Sequence, residues 1–138
     1  MRRVPGSLLW IGHAGDGRDA QHLLAEGIEA VVQLAAEEPP LTLPRELVVC
    51  RIPLLDGADN DRERLQFAVR TVGWLLAGEV PTLVCCSAGL SRSPAVVAAA
   101  LGRQRSCDPE RCLGELAAEG PLDVSPGLWM QLQGVLSD

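Results

Sequence analysis

The sequence predicts an α/β domain with a short, mostly parallel central sheet flanked by helices. Short apolar runs alternate with amphipathic stretches early in the chain, and helical patterns cluster late. Alternation of that kind builds a sheet covered by helices on both faces. The composition is 47% hydrophobic but only 3% aromatic, so the core must be aliphatic. The 138 residues hold no internal repeat and no low-complexity segment, and they read as one domain, residues 1–138.

Taken in order, "SLLWIG" (7–12) reads as a short strand. "DGRDAQHLLAEG" (16–27) reads as one helix, with Asp16 or Asp19 able to cap it and Gly27 able to end it. "IEAVVQLA" (28–35) is a second strand, and "AAEEPPLTLP" (35–44) is a proline-rich loop too short for a domain linker. "ELVVCRIPL" (46–54) is continuous and apolar, as a buried strand should be. "LLDGADND" (54–61) is a loop with Gly57 and Asn60 as turn residues.

Residues 61–78 predict a strong helix. Leu65, Ala68, Val69, Val72, Leu75 and Leu76 recur at three and four and define one apolar face, and Gly78 is the stop. Trp74 and Trp129 on their helices, and Trp10 in the first strand, read as core residues. "TLVCC" (82–86) is the next strand. Ser93 and Pro94 read as an N-cap and first-turn proline opening a helix to Arg105. Asp108-Pro109 opens another, to about Ala118, and Ser125-Pro126 a third, to about Val135.

The formal charge of −6 argues against a general nucleic-acid binder, because phosphate backbones require a basic footprint. A small cationic pocket stays compatible with it. No apolar run approaches the roughly 20 residues of a membrane helix, and the N-terminus carries no secretory pattern. The expectation is a cytoplasmic protein with no membrane and no nucleic-acid partner. Five cysteines, an odd count without a secretion signal, do not suggest a disulfide framework. Cys107 and Cys112 have no histidine near them, since His13 and His22 lie far away in sequence, so they read as buried or half-buried thiols and no metal is expected.

The chemistry concentrates in "CSAGLSR" (86–92), between a strand and a helix N-terminus. Loop N–H groups and the helix dipole make such a turn an anion site. Gly89 permits a turn that a Cβ would hinder, and Ser87, Ala88 and Ser91 are small enough to let a ligand reach the backbone. Arg92 offers a planar fork for two phosphate oxygens. A cysteine at such a helix N-terminus, beside an arginine, favours the thiolate. A thiolate beneath a phosphate ester is placed to attack phosphorus, with the arginine and amides stabilising the equatorial oxygens and a carboxylic acid protonating the leaving group.

"CSAGLSRS" (86–93) matches Cys-x-x-Gly-x-x-Arg-Ser, and the chain resembles the cysteine-dependent protein phosphatases, most closely their dual-specificity branch and its small stand-alone members. "PGSLLWIG", "GIEAVVQLA", "IPLLDGADND" and "PLDVSPGLWMQLQGV" extend the resemblance over roughly residues 5 to 136. It implies a tyrosine-phosphatase-like fold and hydrolysis of phosphotyrosine and phosphoserine or phosphothreonine in proteins, through a cysteinyl-phosphate and without a cofactor. It implies Cys86 as nucleophile, Arg92 as phosphate clamp, and Ser93 as the hydroxyl easing thiolate departure. Ser87, Ala88, Gly89, Leu90 and Ser91 would contact phosphate with Arg92. Asp56 best matches the general acid, with Asp59 its nearest rival and Asp61 a helix cap. The partner implied is a phosphorylated protein, and the domain is expected to act as a monomer.

One position departs from the pattern. The family usually has histidine before the nucleophile, where this chain has Cys85. Strand alternation turns Cys85 away from Cys86 and into the core. A vicinal disulfide between the two would be strained. A phosphate-binding pseudoenzyme is the alternative reading that the missing histidine raises. Lipid-directed relatives tend to carry lysines inside the loop, and RNA-directed ones an asparagine where this chain has Ser91. A nucleotide-binding P-loop is excluded by the absence of G-x-x-x-x-G-K-[ST].

Overall fold

The computed structural model describes residues 1–136. Its elements run β1 (Arg2–Arg3), β2 (Leu9–Gly12), α1 (Ala14–Arg18), α2 (Ala20–Ala25), β3 (Ala30–Ala35), β4 (Val48–Leu54), α3 (Arg62–Ala77), β5 (Thr82–Cys85), α4 (Arg92–Arg105), α5 (Pro109–Glu119) and α6 (Pro126–Leu136). The five strands form one sheet in the order β1-β2-β5-β3-β4. Only β1 is antiparallel; β2, β5, β3 and β4 are parallel neighbours. The α/β class and mostly parallel sheet expected from sequence are therefore observed.

Parallel pairing brings the C-terminal ends of four strands to one edge of the sheet, where open α/β sheets hold ligands. β5 lies between β2 and β3, and its last residue, Cys85, is in register with Gly12 and Gln33. The loops after β2, β3, β4 and β5 consequently meet around residue 86.

The two sheet faces have separate cores. One packs Val32, Leu34, Ile52, Leu54 and Val84 beneath α3, α4, α5 and α6. The other packs Trp10, Val31, Leu83 and Cys85 against Leu23, Ile28 and Leu47. Each fully buried leucine, such as Leu54, Leu65 or Leu128, contributes roughly 2 kcal/mol relative to exposure. Residues 92–102 of α4 are all buried. That explains its alanine-rich sequence: a helix enclosed by the sheet and three other helices has room only for small side chains.

Several expectations needed correction. The helix expected over 16–27 is two short helices broken at Asp19. Asp19 closes α1 and caps α2, accepting from His22 N–H at 3.1 Å. α1 begins earlier, where His13 and Asp16 form a reciprocal capping box. α4 begins at Arg92 with Ser91 at the N-cap position, not Ser93. Pro94 still fits, because the first turn of a helix has no intrahelical use for its N–H groups. Asp61 does hold the N-cap position of α3, though its side chain makes no capping bond.

The apolar face of α3 buries Leu65, Ala68, Val69, Val72 and Leu75. Trp74, two residues beyond Val72, points the other way and is 75% exposed, because two residues of an α-helix span about 200°. Trp10 is buried beneath the Arg3 guanidinium, and Trp129 is half-buried against the main core. Among the described residues, no helix is long and apolar enough to cross a membrane.

Candidate active site

Cys86 follows the last residue of β5 and is 3% exposed, with its N–H directed at Gly12 O at 3.4 Å. Strand alternation holds: Cys86 joins the core beneath α4, and Cys85 joins the opposite core. Burial pushes the Cys85 thiol up to about 12, with the neighbouring Cys86 adding to the effect. It is a neutral, packed side chain. A Cβ added to Gly17 would stand 2.9 Å from its Sγ, so the site is closely filled.

The chain then turns through residues 87–91. Ser87 O accepts from Ala14 N at 3.0 Å, which pins the start of the loop to the segment after β2. Gly89 adopts φ +77°, and a Cβ there would lie 2.9 Å from the carbonyl carbon and oxygen of Gly12. Only glycine satisfies both conditions. At its far end, Leu90 O accepts from Asp123 N at 2.9 Å and Ser91 Oγ accepts from Ser125 N at 2.9 Å. The backbone N–H groups of residues 87–91 donate to no group among the described residues. They form an unsatisfied set of donors at the head of α4.

Arg92, the first residue of α4, is 4% exposed. Its Nη1 and Nη2 grip the carboxylate of Glu37 at 2.5 and 2.6 Å, and Nη1 also donates to Leu54 O at 3.0 Å. Its Nε is buried and without a partner. A guanidinium fixed along one edge, with a buried N–H left over, is suited to an oxyanion on that remaining edge. The Ser93 Oγ is likewise buried and unpartnered, in a residue with no solvent exposure.

Sequence reasoning missed Glu37, placing it in a proline-rich loop. The Arg92 hydrogen bonds hold its carboxyl down at about 2. The loop itself is anchored. Gln33 donates to Pro39 O and accepts from Leu41 N, and Arg51 Nη2 donates to the carbonyls of Ala36 and Glu38. The available signal was positional: an acidic pair directly after a buried strand, at the ligand-binding edge of a parallel sheet. The Ser87 hydroxyl lies within donating distance of both Glu37 and Glu38, at 2.8 and 3.0 Å, and its one proton serves one carboxylate at a time.

Asp56 stands on the loop after β4 and accepts from Ser91 Oγ at 2.6 Å. Asp59, exposed on the same loop, makes no such contact. Asn60 organises the loop, accepting from Leu55 N and donating to the carbonyls of Leu55 and Gly57. Gln131 of α6 braces it through two further bonds to the Asn60 backbone. The structure thus brings Cys86, residues 87–91, Arg92, Ser93 and Asp56 to one sheet edge. Among the described residues, no group of three or more His, Cys, Asp or Glu could hold a metal ion.

Residues 12–105 match a family model described as Tc-R-P, Polymorphic toxin system, DSP-PTPase phosphatase. No curated protein matches the chain by sequence. The fold is shared with human DUSP28, at 24% identity and a TM-score of 0.85 over 99% of this chain and 96% of that one. A mouse putative dual-specificity phosphatase complexed with zinc tungstate is 26% identical, with a TM-score of 0.83 over 98% of this chain and 85% of its own. Human tyrosine phosphatase-like serine/threonine/tyrosine-interacting protein is 16% identical, with a TM-score of 0.81 over 99% and 95% of the two chains.

Proposed function

Because the chain belongs to the polymorphic-toxin-system DSP-PTPase phosphatases, and is therefore a cysteine-dependent dual-specificity protein phosphatase, we propose that Cys86 is its nucleophile, working with Arg92, Asp56 and Ser93. The observation carrying this assignment is the buried, unpartnered Arg92 Nε beside the free loop amides and Cys86. A phosphoryl group seated there would exchange orphaned donors for charge-assisted hydrogen bonds.

In the first step the Cys86 thiolate attacks phosphorus and the bond to the leaving oxygen breaks. Asp56, as the carboxylic acid, gives that oxygen its proton. The loop amides and Arg92 stabilise charge on the three equatorial oxygens. In the second step Asp56, now a carboxylate, takes a proton from water as the water oxygen bonds phosphorus. The sulfur–phosphorus bond breaks, Cys86 leaves as thiolate, and inorganic phosphate is released. The Ser93 hydroxyl, which has no partner in the chain, is available to hydrogen-bond the departing sulfur. Glu37 holds the outer edge of Arg92, so the guanidinium meets phosphate already oriented.

The substrates are phosphorylated proteins. We place the activity in one domain, residues 1–138, acting as a cytoplasmic monomer without metal or cofactor. The acidic charge of −6 supports protein over nucleic-acid or anionic-membrane partners. The mouse structure's complex with zinc tungstate supports tungstate as an oxyanion probe.

The deciding experiment is hydrolysis of an aryl phosphate with chelator and reductant, comparing wild type with Cys86→Ser. Wild type turns over, whereas Cys86→Ser loses hydrolysis to the detection limit yet still binds tungstate. Hydrolysis retained in Cys86→Ser overturns the assignment.

A further inference from the structure

At the opposite end of α4 from the site, the turn into α5 brings two thiols together. Ser106 closes α4 in the left-handed region at φ 52°, and Cys107 N–H returns to Gly102 O at 2.9 Å. Asp108 caps α5, accepting from Glu110 N at 3.1 Å, with Pro109 as its first residue. Cys107 therefore precedes the cap, and Cys112 occupies the fourth helical position. Those two positions form the hydrophobic staple of a helix N-terminus, where two apolar side chains meet and set the angle of approach. Here both members are cysteines, and their Sγ atoms stand 3.2 Å apart.

We propose that Cys107 and Cys112 are an oxidisable pair, a modification site distinct from Cys86, that converts this staple into a reversible disulfide. A disulfide bond measures about 2.05 Å, so roughly an ångström of side-chain approach closes it. Cys107 is half-buried and lies on a cleft lined by Gly102, Arg103, Pro109, Gln133 and Leu136, through which a small oxidant reaches it. Cys112 is 3% exposed. That difference in exposure assigns the roles: Cys107 meets the oxidant, and Cys112 resolves.

With hydrogen peroxide as oxidant, the Cys107 sulfur attacks the O–O bond, giving a sulfenic acid and one water. The Cys112 sulfur then attacks the Cys107 sulfur and loses its proton, and the sulfenic oxygen leaves as a second water. The two thiols have given up two electrons and two protons, and peroxide is reduced to two waters. A dithiol reductant restores both thiols by exchange. No other cysteine is needed.

The test uses the reduced full chain, treated with hydrogen peroxide, alkylated, and digested with trypsin without reduction. Cleavage after Arg105 and Arg111 leaves Cys107 and Cys112 on separate peptides. The two peptides are expected as one cross-linked species, released by dithiothreitol and absent from Cys112→Ser. Recovery of both cysteines uncoupled, at a peroxide dose that oxidises Cys86, overturns the proposal. So does a bond joining Cys107 of one chain to a second chain. Thermal melting gives an independent reading. Oxidation should raise the wild-type midpoint by about 5 °C and leave that of Cys112→Ser unmoved; a wild-type midpoint that oxidation leaves unchanged or lowers counts against a disulfide that the staple accommodates.

Discussion

At the scale of single residues, the loop after β4 offers two aspartates, and one contact separates them. Asp56 accepts from Ser91 Oγ at 2.6 Å, next to the residue that begins the clamp helix; Asp59 has no tie to that loop. A general acid must lie within reach of the leaving oxygen before its acidity matters. Asp56→Asn should therefore slow hydrolysis of alkyl phosphates by about a hundredfold or more, and of aryl phosphates far less, because phenolate leaves without help. Asp59→Asn should leave both nearly unchanged. Steady-state rates across a leaving-group series decide it, and the reverse pattern would move the acid to Asp59.

Among the elements, the strand–loop–helix unit from β5 to α4 depends on a backbone that only one residue type allows. Gly89 sits at φ +77° with the Gly12 carbonyl 2.9 Å from where a Cβ would stand. Gly89→Ala costs at least about 1–2 kcal/mol from the left-handed backbone, with the clash against β2 added. Relief by unwinding the turn would redirect the loop amides. Both the melting temperature and tungstate binding should fall; a variant that melts lower but binds tungstate normally would separate loop shape from oxyanion affinity. α4 itself shows why the N-cap was misplaced. Ser91 and Ser93 both precede an apolar helical run. The Ser91 hydroxyl bonds Asp56 and Ser125 and makes no capping bond to its own helix, a choice made by loops distant in sequence.

Across the whole molecule, the Glu37–Arg92 pair joins the loop after β3 to the head of α4, and its effect on stability follows from the direction of the shift. Glu37 is held at about 2, below the ordinary 4.5. Its contribution is complete above the unfolded value near 4.5 and is lost as pH falls through 4.5 toward 2. The Glu37 side chain is 55% exposed, so solvent screening limits the effect. Wild type should melt a few degrees above Glu37→Gln at pH 6, with the gap narrowing steadily as pH falls from 4.5 toward 2. A gap that is constant across that range would mean that packing, not charge, distinguishes the two.

How much was legible in the sequence follows from what each signal depends on. Short apolar runs located β2, β3, β4 and β5, apolar spacing located α3, and the Asp-Pro and Ser-Pro starts located α5 and α6, because each signal is a property of neighbouring residues; that β4 is the sheet edge, with Val48 and Val49 exposed instead of buried, was not legible in its apolar run. The loop at 86–93 was legible for the same reason: the cysteine, glycine, arginine and serines of the motif lie within eight residues of chain. By itself, then, the sequence determined the α/β class, the aliphatic core and the place of the loop for which the chemistry is proposed. Tertiary structure alone decided that Glu37 grips Arg92 and that Ser91 serves Asp56. Each of these facts depends on which segments the parallel sheet and helix packing bring together, and no local pattern encodes a pairing across tens of residues.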